Sequence, residues 1–169
     1  KSVIIQDGVT SIGDGAFYGC EKLTSVKIPD SVTEIGESAF VFCASLEEVV
    51  IPNGVTEIQR SSFGYLQALT TITIPDSVTN IGYYAFYGCT SLTSITIPDG
   101  VTSIGDYAFS DCTSLTSITI PDSVTSIGDY TFSGCINLYQ VINYSTYTSC
   151  DDYSSFVNSY EYGGLFYNV

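Results

Sequence analysis

Histidine, methionine and tryptophan are missing from this chain, and 4 Lys and Arg stand against 18 Asp and Glu, a net charge of −14. Without histidine there is no Ser–His or Cys–His nucleophile pair and no imidazole metal ligand, which removes the commonest hydrolase and zinc-enzyme chemistries. The scarcity of bases excludes nucleic acid and anionic membrane surfaces as partners, because affinity for both comes mainly from Lys and Arg. No stretch approaches the ~20 apolar residues of a membrane helix, so direct membrane insertion is not expected. Lys1 to Asp7 lack the pattern of a signal peptide and no initiator Met is present. The chain therefore reads as a piece of a longer protein whose targeting and anchoring signals lie elsewhere.

What is present is a folded domain. The hydrophobic share of 44% is ordinary, while the charged share of 13% is about half the ~25% of soluble proteins. The 169 residues suit one domain on a prior of ~150 residues each.

A 23-residue repeat organises the chain. Phe17, Phe40, Phe63, Phe86, Phe109 and Phe132 keep this step, as do Leu23, Leu46, Leu69, Leu92, Leu115 and Leu138. Pro29 to Pro121 and Ile12 to Ile127 form two further columns. The unit reads L-x-x-[VI]-x-I-P-[DN]-x-V-x-x-I-G-x-x-A-F-x-x-C-x-x. Within it, Ile95 and Ile97 alternate with Ser94 and Thr96, the period of 2 that marks a strand. Pro98 ends the ladder because it has no N–H to donate. Pro98-Asp99-Gly100 has turn chemistry, and Val101 and Ile104 point inward from an extended or irregular segment. Ala108, Phe109, Cys112 and Leu115 fall at helical offsets, which predicts a short helical turn with Asp106 as its N-cap.

One such unit cannot bury its own apolar face, so the units must stack into an α/β solenoid with successive strands parallel and about 4.8 Å apart. About six repeats fill residues 1–142. Half of the 14 tyrosines lie in the last 31 positions, and residues 143–169 read as an atypical capping segment.

The motif I-P-D-x-V-x-x-I-G-x-x-A-F-x-x-C resembles the BspA-type leucine-rich repeat family over about Val3 to Ile142. The resemblance implies a right-handed superhelix with its parallel sheet on the concave side and short helical turns on the convex side. It also implies a secreted or cell-surface protein of bacteria or protists, often an adhesin for host matrix glycoproteins such as fibronectin and fibrinogen. The third unit departs from the pattern, with Gln59 for Gly, Ser62 for Ala, Leu66 for Cys and Arg60 where other copies carry an acid. A local distortion of the helical side is expected there.

Several columns invite a functional reading. Cys20, Cys43, Cys89, Cys112 and Cys135 lie in the inward stripe, and Leu66 takes the same slot, so they read as buried free thiols. Cys150, outside the register, either pairs with Cys135 or stays free. Asp7, Asp30, Asn53, Asp76, Asp99 and Asp122 follow the proline column. Stacked carboxylates could hold Ca²⁺, but Asn53 favours Asx-type turns closing onto the backbone. Asp14, Glu37, Asp106 and Asp129 read as helix caps on a solvated face. A carboxylate pair could run glycoside hydrolysis, yet acids repeated in every unit mark structure. No metal, cofactor or catalytic residue is therefore assigned.

The outward strand positions are the recognition candidates: Lys27, Glu48, Thr71, Thr73, Ser94, Thr96, Ser117 and Thr119. Hydroxyls on a rigid sheet donate and accept, which suits glycan or protein backbone groups, although Thr is also simply strand-compatible. A Thr-x-Thr ladder also suits an ice lattice, but only Thr71 and Thr73 match fully and a twisted sheet spoils the fit. All Lys and Arg lie in residues 1–60, and residues 61–169 carry nine acids and no base. A partner on the later repeats should therefore be basic or neutral. Asn143-Tyr144-Ser145 is a glycosylation sequon, relevant only on a eukaryotic secretory route. The tyrosine-rich tail is an alternative contact surface. Two functions compete: a non-enzymatic module that binds a protein or glycoprotein ligand, and a rigid spacer or self-associating stalk with an inert sheet face.

Overall fold

The computed structural model describes residues 1–144 and the backbone of a strand at Leu165–Asn168. The capping segment proposed for residues 143–169, with Cys150, otherwise lies outside the described residues.

Each coil contributes two short strands. The first set is β1 (Ser2–Ile4), β3 (Ser25–Lys27), β5 (Glu48–Val50), β7 (Thr71–Thr73), β9 (Ser94–Thr96), β11 (Ser117–Ile120) and β13 (Gln140–Asn143). The second set is β2 (Ser11–Ile12), β4 (Glu34–Ile35), β6 (Glu57–Ile58), β8 (Asn80–Ile81), β10 (Ser103–Ile104) and β12 (Ser126–Ile127). Every pairing within these two sets is parallel and in 23-residue register, for example Ile95 with Ile118 and Ile81 with Ile104. The strand Leu165–Asn168, β14, adds to β13 in the same sense. The second ladder occupies the segment expected to be merely extended or irregular.

The columns legible in the sequence meet in one core. Phe40, Phe63, Phe86, Phe109 and Phe132 are fully buried, and the stack running from Phe17 to Phe132 keeps centroids 5.0–5.8 Å apart with rings within 11° of parallel. Burying each such ring is worth about 1.5–3 kcal/mol. The first coil is less covered: Phe17, Val3 and Ile5 are only partly buried.

The expected helical turns are not helices. Around Phe109, the amides of Ala108, Ser110 and Cys112 donate to the carbonyls of Gly105, Tyr107 and Phe109, three residues back. The alternate amides, of Tyr107, Phe109 and Asp111, donate instead to Asp129, Thr131 and Ser133 of the next coil. A helix would send every amide four residues back within its own segment; here every second one leaves the coil. The backbone achieves this by placing Tyr107 (φ 56°) and Asp111 (φ 58°) in the left-handed region. The inward offsets of Ala108, Phe109, Cys112 and Leu115 are the same in a stacked turn as in a helix, which is why periodicity suggested one. Asp106 accordingly caps no helix: its Oδ1 accepts the Asp129 amide of the next coil at 2.9 Å, as Asp14 accepts Glu37 N–H at 2.8 Å.

Glycine sets how closely the coils approach beside the second ladder. Gly82 and Gly105 donate to Ile58 and Ile81 of the preceding coil, and a Cβ at either position would stand 2.7 Å from that coil's backbone. In the third coil Gln59 takes this place, and the second sheet is interrupted there, between β4 and β6. The first sheet is interrupted between β7 and β9 and, at this same boundary, between β3 and β5. The turn side, where distortion was expected, instead runs through it unbroken: Ser38, Phe40 and Phe42 donate to Arg60, Ser62 and Gly64. Ser62 is buried and satisfied by the Gln59 carbonyl, and Leu66 is fully buried in the cysteine slot.

Candidate functional site

The side chains of the first sheet alternate between the core and solvent because the strand period is 2. Val49, Ile72, Ile95 and Ile118 point inward and are buried. The residues between them form two outward rows. One contains Glu48, Thr71, Ser94 and Ser117, and the other Lys27, Thr73, Thr96 and Thr119; the pairs Glu48–Thr71, Ser94–Ser117 and Thr96–Thr119 are directly in register. All eight candidates thus share one face. Seven are exposed and Ser117 is half-buried.

Many other threonines have their hydroxyls committed to the fold. Thr33, Thr79, Thr102 and Thr125 each donate to the carbonyl of the threonine one coil before, and from another column Thr116 donates to Thr93 O and Thr70 to Glu47 O, again one coil before. Thr71, Thr73, Thr96 and Thr119 make no such bond among the described residues, so their hydroxyls remain available. Beside Thr96 and Thr119 lies an open hollow of about 490 Å³, walled by Asp99, Pro121, Asp122 and Tyr144. Two hydroxyls, two carboxylates and one aromatic ring converge there. The strand period identified Thr96 and Thr119. Asp99 and Asp122 were read as turn residues, and Tyr144 stands where the repeat ends and column reasoning stops.

The proline turns themselves are closed by the backbone. Val32, Val55, Val78, Val101 and Val124 N–H donate to Pro29, Pro52, Pro75, Pro98 and Pro121 carbonyls. The Asp and Asn side chains that follow each proline are exposed and do not perform the closure expected of them. Among the described residues, no three Asp, Glu, Cys or His side chains converge as a metal site requires.

A second hollow, of about 460 Å³, runs along the second sheet between Glu57, Asn80 and Ser103 on one side and Arg60, Tyr83 and Asp106 on the other. Its polar row is already bonded internally: Asn80 Nδ2 donates to Glu57 Oε1 at 2.8 Å, and Ser103 Oγ donates to Asn80 Oδ1. These groups tie the coils to one another.

The five described cysteines are free thiols; Cys43, Cys89, Cys112 and Cys135 are buried, whereas Cys20 in the less covered first coil is exposed. Cys89 Sγ–H donates to Phe63 O at 3.2 Å and Cys112 Sγ–H to Phe86 O at 3.3 Å. Burial pushes the Cys89 thiol up to about 12 and, with a smaller contribution from Cys20, the Cys43 thiol up to about 11. Thiols held neutral are poor nucleophiles and poor metal ligands.

The comparisons agree with this architecture. The structure is similar to a leucine-rich repeat protein from Bacteroides ovatus, at 40% identity and TM-score 0.80, over 88% of this chain and 43% of that one. It is also similar to the T. pallidum leucine rich repeat protein, at 36% identity and TM-score 0.79, over 83% of this chain and 68% of that one. A leucine rich cell surface protein from Faecalibacterium prausnitzii matches at 26% identity and TM-score 0.53, over 95% of this chain and 63% of that one. The chain therefore spans less than half the length of the Bacteroides protein. No curated protein sequence matches it. The family model for the BspA type leucine rich repeat region matches in six copies, over residues 1–89 and 56–161. No catalytic family is indicated, and the chain belongs to the BspA-type leucine-rich repeat family.

Proposed function

We propose that this chain is a non-enzymatic recognition module of a cell-surface or secreted protein, holding a protein or glycoprotein ligand on the outward face of its first sheet. The observation that carries the reading is the contrast among threonines. Those in the turn columns spend their hydroxyls on the neighbouring coil, while Thr71, Thr73, Thr96 and Thr119 offer theirs to solvent from a rigid lattice. Preorganised donors and acceptors lower the entropic cost of binding. Lys27 and Glu48 tune one end of the face, and Asp99, Asp122 and Tyr144 wall the hollow at the other. The similarity to a leucine rich cell surface protein supports the location, and matrix glycoproteins are the ligand class that the family resemblance favours.

Surface-plasmon binding to an immobilised panel of matrix glycoproteins and glycans tests this, with Thr73→Glu, Thr96→Glu and Thr119→Glu combined as the control. Saturable binding by the parent, lost in the triple variant while circular dichroism is unchanged, is the expected result. Binding by neither protein would replace the module with a spacer whose sheet face is inert.

A further inference from the structure

A chain of aromatic rings runs along the turn side, away from the proposed ligand face. Phe42 stacks on Tyr65 at 4.6 Å, Tyr65 meets Tyr87 edge-on at 5.0 Å, and Tyr87 meets Tyr84 at 5.5 Å. Tyr84, Tyr107 and Tyr130 then stack in turn at 4.9 and 5.0 Å. The rings span five coils; Phe42, Tyr65 and Tyr130 are exposed and the others half-buried.

The fold does not need these rings. Phe42, Tyr65, Tyr84, Tyr107 and Tyr130 all sit at positive φ, between 56° and 60°. In other coils the same two slots hold Gly15, Ser38 and Ser61, or Gly19, Gly88 and Gly134, likewise at positive φ. Bulky residues in the left-handed region are strained where glycine is not, and such strain gathers at functional surfaces.

The surroundings define the partner. Asp111 beside it, more than burial, holds the Tyr87 phenol pKa far above the ordinary range. Burial raises Tyr107 as well, followed by its ring neighbours Tyr84 and Tyr130 and then by Asp106 and Asp129. Residues 61–169 supply no Lys or Arg to neutralise these carboxylates. The parallel stacks of Phe42 with Tyr65 and of Tyr84, Tyr107 and Tyr130 cover ring faces, an arrangement that withholds the faces on which a sugar ring would stack. A second copy of this chain would bring another −14 to the same strip.

We infer that this aromatic and acidic strip is a second docking surface, and that its occupant is an arginine-bearing segment of a basic protein. The arginine stems lie against the ring edges, and their guanidinium groups reach the Asp106, Asp111 and Asp129 carboxylates and the phenol oxygens.

The test titrates a nona-arginine peptide, and a peptide of the same length with alternate Arg and Ser, into the protein. Tyrosine fluorescence and calorimetry follow the binding. The key variant combines Tyr84→Ser, Tyr107→Ser and Tyr130→Ser, because serine already occupies this slot as Ser38 and Ser61. Its affinity for both peptides should fall about tenfold or more at unchanged circular dichroism. Asp106→Asn with Asp129→Asn, which keeps every ring, should weaken binding and flatten its salt dependence. Equal affinity of the serine variant and the parent would show that net charge alone attracts the peptide and would overturn the inference. So would no binding by the parent, or ring-dependent capture of a neutral glycan or a second copy in place of arginine.

Discussion

The strand side and the turn side of each coil solve the same problem by different means. Both carry parallel, coil-to-coil hydrogen bonds in a 23-residue register, and both send every inward side chain into the Phe-centred core. The strand side does so with extended residues and exposes hydroxyls. The turn side alternates local bonds with outgoing ones, uses two positive-φ residues per coil, and exposes aromatic rings. A helical spacing of apolar residues therefore reports which side chains point inward, while the destination of the amides decides whether the segment is a helix.

The comparison can be broken in several places. Phe86→Ala removes a ring that both sides pack upon, and should cost about 3–5 kcal/mol in urea denaturation; a midpoint matching the parent would mean that the two sides do not share a core. Gly105→Ala acts where the second ladder passes into the turn side and leaves the first sheet untouched. Its methyl would meet Tyr83 N at 2.7 Å, and overpacking of this kind should cost about 1–3 kcal/mol by the same assay.

Raising the pH has a smaller effect with a defined sign. The Cys89 thiol is lifted from 9 to about 12 in the folded protein, so at pH 10 it stays neutral while its unfolded counterpart ionises. Its contribution to stability is complete below pH 9 and is lost as pH rises toward 12, on the order of 1 kcal/mol at pH 10. Melting curves at pH 7 and pH 10 should show the fall, and Cys89→Ala should reduce it. Tyr107→Gly sharpens the distinction most finely. In a helix glycine would cost about 1 kcal/mol from the backbone alone, but at a φ of 56° it relieves strain while losing stacking worth about 0.5–1.5 kcal/mol. The net change should stay within about 1 kcal/mol.

Much of the fold was legible because the core repeats in register: the Phe, Leu and Ile columns, the first strand and the proline turn follow from residues 23 positions apart. The second sheet was not, because strands such as Ser103–Ile104 are too short to show a period. The proposed ligand face followed from strand alternation, though which threonines the coils consume depends on contacts no spacing reveals. The aromatic strip was invisible for another reason. It moves from the column of Phe42 and Tyr65 to that of Tyr87 and then to that of Tyr84, Tyr107 and Tyr130, so no single column carries it.

The boundary between the second and third coils, where both sheets are interrupted, has a mechanical meaning. Bonds that run from coil to coil bear a load applied at the two ends in series, one boundary after another, so the solenoid parts like a zip and does not snap like a rod. The boundary is held by the turn-side bonds, the Glu47 N–H to Thr24 O bond and the stacked pairs Phe40–Phe63 and Phe42–Tyr65, 5.6 and 4.6 Å apart. A pull along the axis will find that place first.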